Sequence, residues 1–362
     1  MQKPKTLFIL IILLGLGNNS YCQLTVNYIS ASQFVQKLLG PNVSFANAVF
    51  SGTDPVQMAA FSGSTVPNIG IANGVILATG DAIIAADTSH NCTAGNALGG
   101  GGDADLSGAC QQQTKDLGAV EFDFWTSSDS ITLTFMFASE EYNYWVNSKN
   151  DVCGARLYNQ GGGYANIFYL PASFTPICVN NINNGSVPNI CDTSSGPCTN
   201  CQYFNDNTNG ATFQYNGYTN LFTIKFHVMP CDTFHFWMGI ADAQDFIYDS
   251  AILLPENGFT GVGSDSHCDS LTLAGNLTKS SGLDISPNPF TNEIQIAIHK
   301  QGVTQATFIL HDIFGQIVIK QQEINLTGSL TKTLDVSFLS SGIYLLDIYT
   351  DGERVTKKII KN

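Results

Sequence analysis

The stretch SITLTFMF, residues 130–137, alternates polar and apolar side chains over its first six positions. Ile131, Leu133 and Phe135 fall on one face, and the two threonines between them fall on the other. Because successive side chains of a strand point to opposite faces, this pattern predicts a strand with one buried and one wet face. Strands of that kind are typical of antiparallel β-sandwiches.

The same alternation recurs along the chain. It is found in residues 222–228 and 234–240, and again near the carboxyl end in residues 294–298. One helix is predicted over residues 32–39, where an apolar stripe at helical spacing ends at Gly40-Pro41. The predicted fold class is all-β: a large β-sandwich or jelly-roll-like passenger domain, followed by a small immunoglobulin-like β-sandwich.

Charged residues are scarce and unevenly distributed. They make up 12% of the 362 residues, and the formal net charge is −14. Residues 23–282 hold 21 acidic and 6 basic side chains, whereas residues 283–362 hold 8 and 7. An acidic passenger repels nucleic acid and anionic lipid, so neither is a predicted partner. The charge suits a protein that holds divalent cations, and equally one that only stays soluble outside the cell.

The amino-terminal residues 1–22 are predicted to be a cleaved signal peptide. Lys3 and Lys5 precede an apolar run over residues 7–16, which is followed by polar residues. The run is too short to span a bilayer permanently, and no later stretch is long and apolar enough to do so. No transmembrane segment is therefore predicted in the mature chain.

Residues 283–362 contain motif residues in a fixed order, which are Pro287, Asn288, Pro289, Asp312, Gly315, Gly342, Tyr344, Lys357 and Lys358. With these residues the segment resembles the type A C-terminal sorting domain of the bacterial type IX secretion system. The resemblance implies export across the outer membrane, the secretion machinery as a partner, and a secreted protein or one held at the outer cell surface. Residues 261–282, rich in Gly, Ser, Asp and Thr, are predicted to be a linker, so few contacts are expected between the two domains.

The passenger, predicted over residues 23–260, also resembles a known module. The stretch FASEEY at residues 137–142 is followed by Asn150-Asp151, and IADA occurs at residues 240–243. In this order they resemble the choice-of-anchor L domain, a β-rich module of bacterial surface proteins. The resemblance implies a surface module and brings no established catalytic activity.

Acidic residues near predicted loops form a candidate calcium site. Calcium binds six to eight oxygen atoms from carboxylates, amides and backbone carbonyls. If the loops converge, calcium is the predicted cofactor; the alternative is that these carboxylates cap turns by accepting backbone N–H bonds. The predicted ligands are Glu140, Glu141, Asn150 and Asp151, with Asp103 or Asp249 contributing.

Nine cysteines remain after the predicted cleavage, and an exported chain is expected to oxidise most of them. The predicted disulfides are Cys92–Cys110 and Cys198–Cys201, with Cys268 as the one free thiol. The CxxC spacing of Cys198 and Cys201 also occurs in zinc and redox sites, which leaves those alternatives open.

Two histidines suggest a second metal site. His227 and His235 flank a turn between predicted adjacent strands, where they could share a metal, although exposed histidines without a ligand are the alternative. The sequence contains neither an HExxH nor a GxSxG motif.

The sequence therefore favours a non-catalytic binding or adhesion module at the cell surface, stabilised by calcium, with a glycan or protein as ligand. One alternative is a secreted glycan hydrolase that uses paired carboxylates such as Glu140 and Asp151; another is a structural component of the surface layer or biofilm. Carboxylates about 5–10 Å apart across an open cleft would favour the hydrolase.

Overall fold

The computed structural model of the chain describes residues 24–63, 69–86, 91–158, 164–208, 210, 213–265, 283–299, 305–324, 330–350 and 353–362. The predicted signal peptide, Cys268 and residues 266–282 of the predicted linker lie outside these ranges. The remaining linker residues, 261–265, belong to a strand of the passenger. The all-β prediction is confirmed, because antiparallel sheets account for most of the ordered chain.

The passenger contains two α-helices, three short 3₁₀ helices and fifteen strands among its described residues. The helices are α1 (Ala31–Leu38) and α2 (Ala104–Cys110), and the 3₁₀ helices are Ala82–Ala86, Val179–Asn181 and Cys201–Tyr203. The strands are β1 (Thr25–Tyr28), β2 (Val43–Ser51), β3 (Met58–Ser62), β4 (Asn73–Ala78), β5 (Thr114–Thr126), β6 (Ser128–Ser139), β7 (Val152–Tyr158), β8 (Tyr164–Asn166), β9 (Ile177–Cys178), β10 (Phe204–Asp206), β11 (Gly217–Thr219), β12 (Phe222–His227), β13 (Phe234–Ala243), β14 (Ser250–Pro255) and β15 (Phe259–Asp265).

These strands form two sheets that enclose an apolar core. Among the described residues, one sheet runs β1-β3-β4-β14-β6-β11-β10, with β12 and β15 also paired to β6. The other runs β2-β5-β13-β7-β8, with β9 paired to β7. The long strands β5 and β6 follow each other in sequence but belong to different sheets, so the single residue between them connects the two layers.

Phe259 lies at the centre of the core between the sheets. It is fully buried, and its ring makes edge contacts with Phe122 at 5.8 Å and Phe124 at 5.0 Å between ring centroids. Further edge contacts join it to Phe226 at 6.0 Å and Phe236 at 5.1 Å. Edge-to-face aromatic pairs add stability beyond the area they bury. Because its partners come from both sheets, Phe259 connects the two layers of the sandwich.

The predicted amino-terminal helix is confirmed as α1. Its first turn is capped by Ser30, whose hydroxyl accepts a hydrogen bond from the Gln33 N–H at 3.3 Å, while Gln33 accepts one from the Ser30 N–H at 3.0 Å. This reciprocal arrangement satisfies two backbone donors that the first turn would otherwise leave free. Phe34, Val35 and Leu38 point into the core, which agrees with the apolar stripe in the sequence.

The carboxyl-terminal domain is the smaller, sandwich-like region that the sequence predicts. Among its described residues, one sheet runs β16-β17-β20 and the other runs β19-β18-β21-β22. Its own buried cluster includes Ile294, Ile296, Phe308 and Leu346. The strands are β16 (Leu283–Ser286), β17 (Glu293–Ile298), β18 (Gln305–Asp312), β19 (Ile317–Ile324), β20 (Leu330–Asp335), β21 (Gly342–Thr350) and β22 (Glu353–Lys361).

The two domains are in direct contact through a limited set of residues. Ile313 and Ile343 are buried in the same apolar cluster as the passenger core. The backbone N–H of His227 donates to the Ile313 carbonyl at 2.7 Å, and the Lys358 ammonium lies 3.2 Å from Asp232. The sequence did not reveal this contact because Ile313 lies in a turn, where an apolar side chain has no periodic pattern around it.

Replacement of Phe259 by alanine should destabilise the protein by about 3–5 kcal/mol, because it removes a fully buried ring and leaves a cavity between the sheets. Urea denaturation followed by intrinsic fluorescence would measure the loss. Phe174→Ala is the matched control, since that ring is 73% exposed and its loss should change the free energy of unfolding by less than about 0.5 kcal/mol. Equal effects of the two substitutions would contradict the central role of Phe259.

Candidate functional site

Five acidic side chains gather at one end of the passenger sandwich, where β6, β7, β13 and β14 meet. The strands bring them together: Ser139 of β6 pairs with Ser250 of β14, and the Glu140 N–H donates to the Asp249 carbonyl at 3.0 Å. All five have a relative exposure of 1% or less. We call this group the carboxylate cluster: Glu140, Glu141, Asp151, Asp242 and Asp249.

Two members of the cluster hold backbone and side-chain donors in place. Asp151 accepts from the Ala243 N–H at 2.9 Å and from the Ser250 hydroxyl at 2.6 Å, which links the two sheets. Both oxygens of Asp249 accept from the Asn96 N–H at 3.1 Å. These contacts correspond to the capping alternative that the sequence left open for the acidic residues.

Glu141 and Asp242 have a different environment. No donor forms a hydrogen bond with either carboxyl oxygen of Glu141. Asp242 lies close to the Thr79 hydroxyl, which lowers its pKa, and to the Asp151 carboxyl, which it partners. The nearest cation to Glu141 is Lys149, whose ammonium is already paired with Asp245 at 2.8 Å. Buried polar atoms without partners are rare in folded proteins, so these oxygens require an explanation.

Burial controls the ionisation of four members of the cluster. Removal from water raises the pKa of Asp151 and Asp249 to about 7, despite the hydrogen bonds that favour their ionised forms. Burial also raises the pKa values of Glu141 and Asp242 well above their usual range, and the charge of Asp151 adds to both shifts. These four carboxyl groups therefore hold protons up to near-neutral pH unless a cation neutralises them.

Not all of the predicted calcium ligands belong to this cluster. Asp103 caps α2 by accepting from Leu106 N–H at 2.9 Å and pairs with Arg156. Asn150 uses both ends of its amide, since its oxygen accepts from Asn180 N–H and its nitrogen donates to the Cys110 carbonyl, each at 2.8 Å. These two residues do not join Glu140, Glu141, Asp151 and Asp249, which the structure does bring together.

Asp242 is a cluster member that the predicted ligand set omitted. It lies within β13, where the surrounding GIADA sequence gives the appearance of an apolar strand. Carboxylates are rarely fully buried without a partner. An acidic residue inside an apolar strand therefore indicates a partnered or functional acid, and this signal could have identified Asp242 in the sequence. Among the residues that the structure describes, no group of three or more His, Cys, Asp or Glu side chains is arranged to hold a metal ion.

The histidine pair does not form a site. His227 lies in β12 of one sheet and His235 in β13 of the other, because the chain between them passes from one layer to the next. His235 is held by Asp123, with 2.8 Å between His235 Nδ1 and Asp123 Oδ1. The prediction of adjacent strands was therefore wrong at this turn.

One of the two predicted disulfides is confirmed and the other is wrong. Cys198 and Cys201 are bonded, but Cys92 is bonded to Cys191, across 99 residues, rather than to Cys110. Cys231 is also disulfide-bonded. Three buried thiols are unbonded in the structure among the described residues, and they belong to Cys110, Cys153 and Cys178. Cys268, the predicted free thiol, lies outside those residues.

An open groove where the passenger meets the carboxyl-terminal domain provides a second candidate site. It is a cavity of about 420 Å³ bordered by the loop at residues 167–174, by β12 and by the turn at residues 313–316. Phe174, at its rim, is 73% exposed. We call it the aromatic groove, and the residues that line it are Ile167, Tyr169, Leu170, Pro171, Ala172, Ser173, Phe174, Phe222, Thr223, Ile224, Lys225, Phe314 and Gln316.

The motif Pro287-Asn288-Pro289, which we call the opening motif, links the start of the carboxyl-terminal domain to its last strand, β22. Asn288, between Pro287 and Pro289, accepts a hydrogen bond from Ile360 N–H at 2.8 Å and donates to the Lys358 carbonyl at 3.1 Å. This side chain joins the opening motif to β22.

The other motif residues form turns, strand pairs and the contact with the passenger. Asp312 accepts from the N–H groups of Phe314 and Gln316, each at 2.9 Å, and closes the turn that contains Gly315. The Tyr344 hydroxyl donates to the Ser340 carbonyl at 2.9 Å, two residues before Gly342. Lys357 lies in β22 opposite Leu346. The Lys358 ammonium lies 4.8 Å from the centre of the Phe234 ring.

Comparison with known families finds two matches. The choice-of-anchor L domain matches residues 23–260, and the secretion system C-terminal sorting domain matches residues 284–362. No curated protein matches the chain significantly. Within the residues that the structure describes, no helix has the length and apolar character needed to cross a membrane.

Among solved structures, the chain is similar to β-glucuronidase from Ruminococcus gnavus. The apo enzyme and its complex with uronic isofagomine are 9% and 10% identical to this chain, with TM-scores of 0.16. Each alignment covers 68% of this chain and 35% of the enzyme, so the chain spans about a third of the enzyme's length. At these TM-scores the likeness carries no argument about fold or activity.

In metal-free protein, the unfolding free energy should fall as the pH rises from about 4 to about 7. The unfolded carboxyls release their protons near pH 4, whereas folded Asp249 and Asp151 keep theirs to about 7. The unfolded state therefore binds fewer protons in this window, and stability decreases as the pH rises. Asp249→Asn should remove roughly 2–4 kcal/mol of that dependence. Urea titrations at several pH values would measure this pH dependence. The control variant Asp54→Asn, at an exposed residue, should keep the wild-type slope of unfolding free energy against pH. An unchanged slope in Asp249→Asn would refute the raised pKa of Asp249.

Proposed function

We propose a non-catalytic binding role for this chain, which belongs to the choice-of-anchor L family and carries a sorting domain for export to the cell surface or beyond. In this proposal the passenger binds a glycan or protein ligand outside the cell through the aromatic groove. A calcium ion neutralises the carboxylate cluster and stiffens the end of the sandwich. The type IX secretion machinery recognises the sorting domain.

The acidic residues of the carboxylate cluster are buried, whereas the open aromatic groove has no acidic residue in its lining. This difference supports a binding role over hydrolysis. A glycosidase needs two carboxyl groups facing the same bound sugar. Glu140 and Asp151, the pair considered for that chemistry, are 1% and 0% exposed, so a sugar could not reach them. The aromatic groove is open to solvent and contains no Asp or Glu among its lining residues. This contrast is the observation that carries the proposal.

The composition of the groove fits recognition by stacking and hydrogen bonding. Tyr169 and Phe174 form an edge-on pair with 5.7 Å between ring centroids, next to the ammonium-bearing Lys225. Binding sites typically combine aromatic walls with a few polar groups that orient the ligand. Thr223 and Gln316 supply such groups on either side of the groove.

Phe174→Ala should abolish or weaken ligand binding at least tenfold without unfolding the protein, because that ring is exposed. The full-length chain would be applied to a glycan array and to extracellular matrix proteins, and titrations would follow each positive spot. Phe338→Ala is the matched control, since Phe338 is 66% exposed but lies outside the groove. Binding that survives Phe174→Ala at full strength would place the ligand elsewhere. Release of free sugar from a bound glycan would point to hydrolysis instead.

The oxygens of Glu141 and Asp242 support the calcium part of the proposal. They are buried, and the charge of Asp151 raises the pKa of both residues. Calcium binds six to eight oxygen atoms, which carboxylates, amides, backbone carbonyls and water can supply. The buried amide oxygens of Asn143 and Asn216, which also have no donor, are further oxygen atoms of the suitable type.

Millimolar calcium should raise the thermal midpoint of the wild-type chain, because a ligand of the folded state adds about 2.7 kcal/mol at a hundredfold excess over its dissociation constant. Glu141→Gln and Asp242→Asn should reduce the shift at neutral pH, where a bound cation would replace the protons of the cluster. Glu256→Gln controls for weak binding to the acidic surface, because Glu256 is exposed. Magnesium, which demands a stricter octahedral geometry, should stabilise less. An identical shift in all three variants would remove the calcium proposal.

A further inference from the structure

Three buried thiols remain in the passenger, and two of them share one apolar cluster. Cys110, at the end of α2, and Cys178, in β9, pack with Leu106, Val152 and Trp237. The relative exposures are 3% for Cys110 and 0% for Cys178, so neither is available to a partner protein.

The strand register separates the third thiol from this pair. In the β7–β9 ladder, Val152 is opposite Cys178, and Cys153 is opposite Ile177. Residues directly opposite each other share one face of a sheet, and neighbouring residues along a strand point to opposite faces. Cys153 therefore points away from Cys178 and is buried in the main core instead.

A single side chain holds the segments of Cys110 and Cys178 together. The Asn150 amide nitrogen donates to the Cys110 carbonyl at 2.8 Å, and its oxygen accepts from the Asn180 N–H at 2.8 Å. The same side chain reaches the Cys178 thiol. Both cysteines are thus attached to one buried amide, although they come from distant parts of the sequence.

We propose that Cys110 and Cys178 form a disulfide when the protein folds in an oxidising compartment. The Cys110 thiol and the Cys178 thiol react with an external disulfide, such as oxidised glutathione or the active-site disulfide of a thiol oxidoreductase. One S–S bond forms between the cysteines, and the external disulfide is reduced to two thiols, which take the two hydrogen atoms. Exported proteins meet oxidants of this class, so the reaction fits the route that the sorting domain implies.

The bond would join α2 to β9, the strand that pairs with β7 next to the carboxylate cluster. Val152, which packs against Cys178, follows Asp151 directly, and Ala243 of the same apolar cluster donates its N–H to Asp151. The disulfide therefore stiffens the wall behind Asp151. It does not depend on the binding role, because it rests on the register and on the contacts of Asn150.

Peptide mapping of the wild-type chain tests this directly. The full-length chain would be reduced, denatured and refolded in a glutathione redox buffer, then alkylated under denaturing, non-reducing conditions and digested. We expect one linked peptide pair that contains Cys110 and Cys178, with Cys153 alkylated. Alkylation of both Cys110 and Cys178 overturns the proposal, as does a bond from Cys178 to any other cysteine.

Three serine variants check the assignment in the same assay. Cys110→Ser should leave Cys178 alkylated, and Cys178→Ser should leave Cys110 alkylated. Cys153→Ser is the matched control, since it removes a buried thiol of the other core and should preserve the linked pair. Loss of the link in Cys153→Ser with retention in Cys110→Ser would assign the bond to Cys153 and refute the proposal.

Discussion

Strand β6 is the element on which the passenger depends, because both of its edges are hydrogen-bonded. One edge pairs with β14 and then β15, and the other pairs with β11 and then β12. Its apolar residues face the core, so a register shift of one residue would move them all to the opposite face. The four partner strands prevent that shift and fix where β6 ends.

The end of β6 determines the character of the carboxylate cluster. Once Ser139 pairs with β14, the next two residues, Glu140 and Glu141, enter a turn beneath neighbouring strands and lose contact with water. Burial makes ionised carboxylates costly unless protons or a cation neutralise them. Catalysis by exposed acids is therefore disfavoured at the carboxylate cluster. Neutralisation of the buried carboxylates by protons or by a cation would stiffen this end of the sandwich.

The sorting motif has structural functions that its sequence does not reveal. The side chain of Asn288 accepts a hydrogen bond from Ile360 of β22, which holds the opening motif in place. The side chain of Asp312 accepts one from Gln316 and closes the turn. Gly315 allows a close approach, because a Cβ atom there would lie 2.6 Å from His227 Nε2 of the passenger. The turn thus belongs both to the sorting domain and to its contact with the cargo, which explains why the aromatic groove is bordered by Phe314.

Local patterns in the sequence determined the strands, the helix α1 and the Cys198–Cys201 bond, since each depends on neighbours within a few residues. The tertiary structure alone decided the Cys92–Cys191 bond, the sheets to which His227 and His235 belong, and the inclusion of Asp242 in the carboxylate cluster. These features join residues far apart in the chain, and period-two alternation specifies which face is buried without specifying which strand lies opposite. The partner of a buried acid or thiol is therefore set by sheet topology, because only the assembled layers decide which side chains meet.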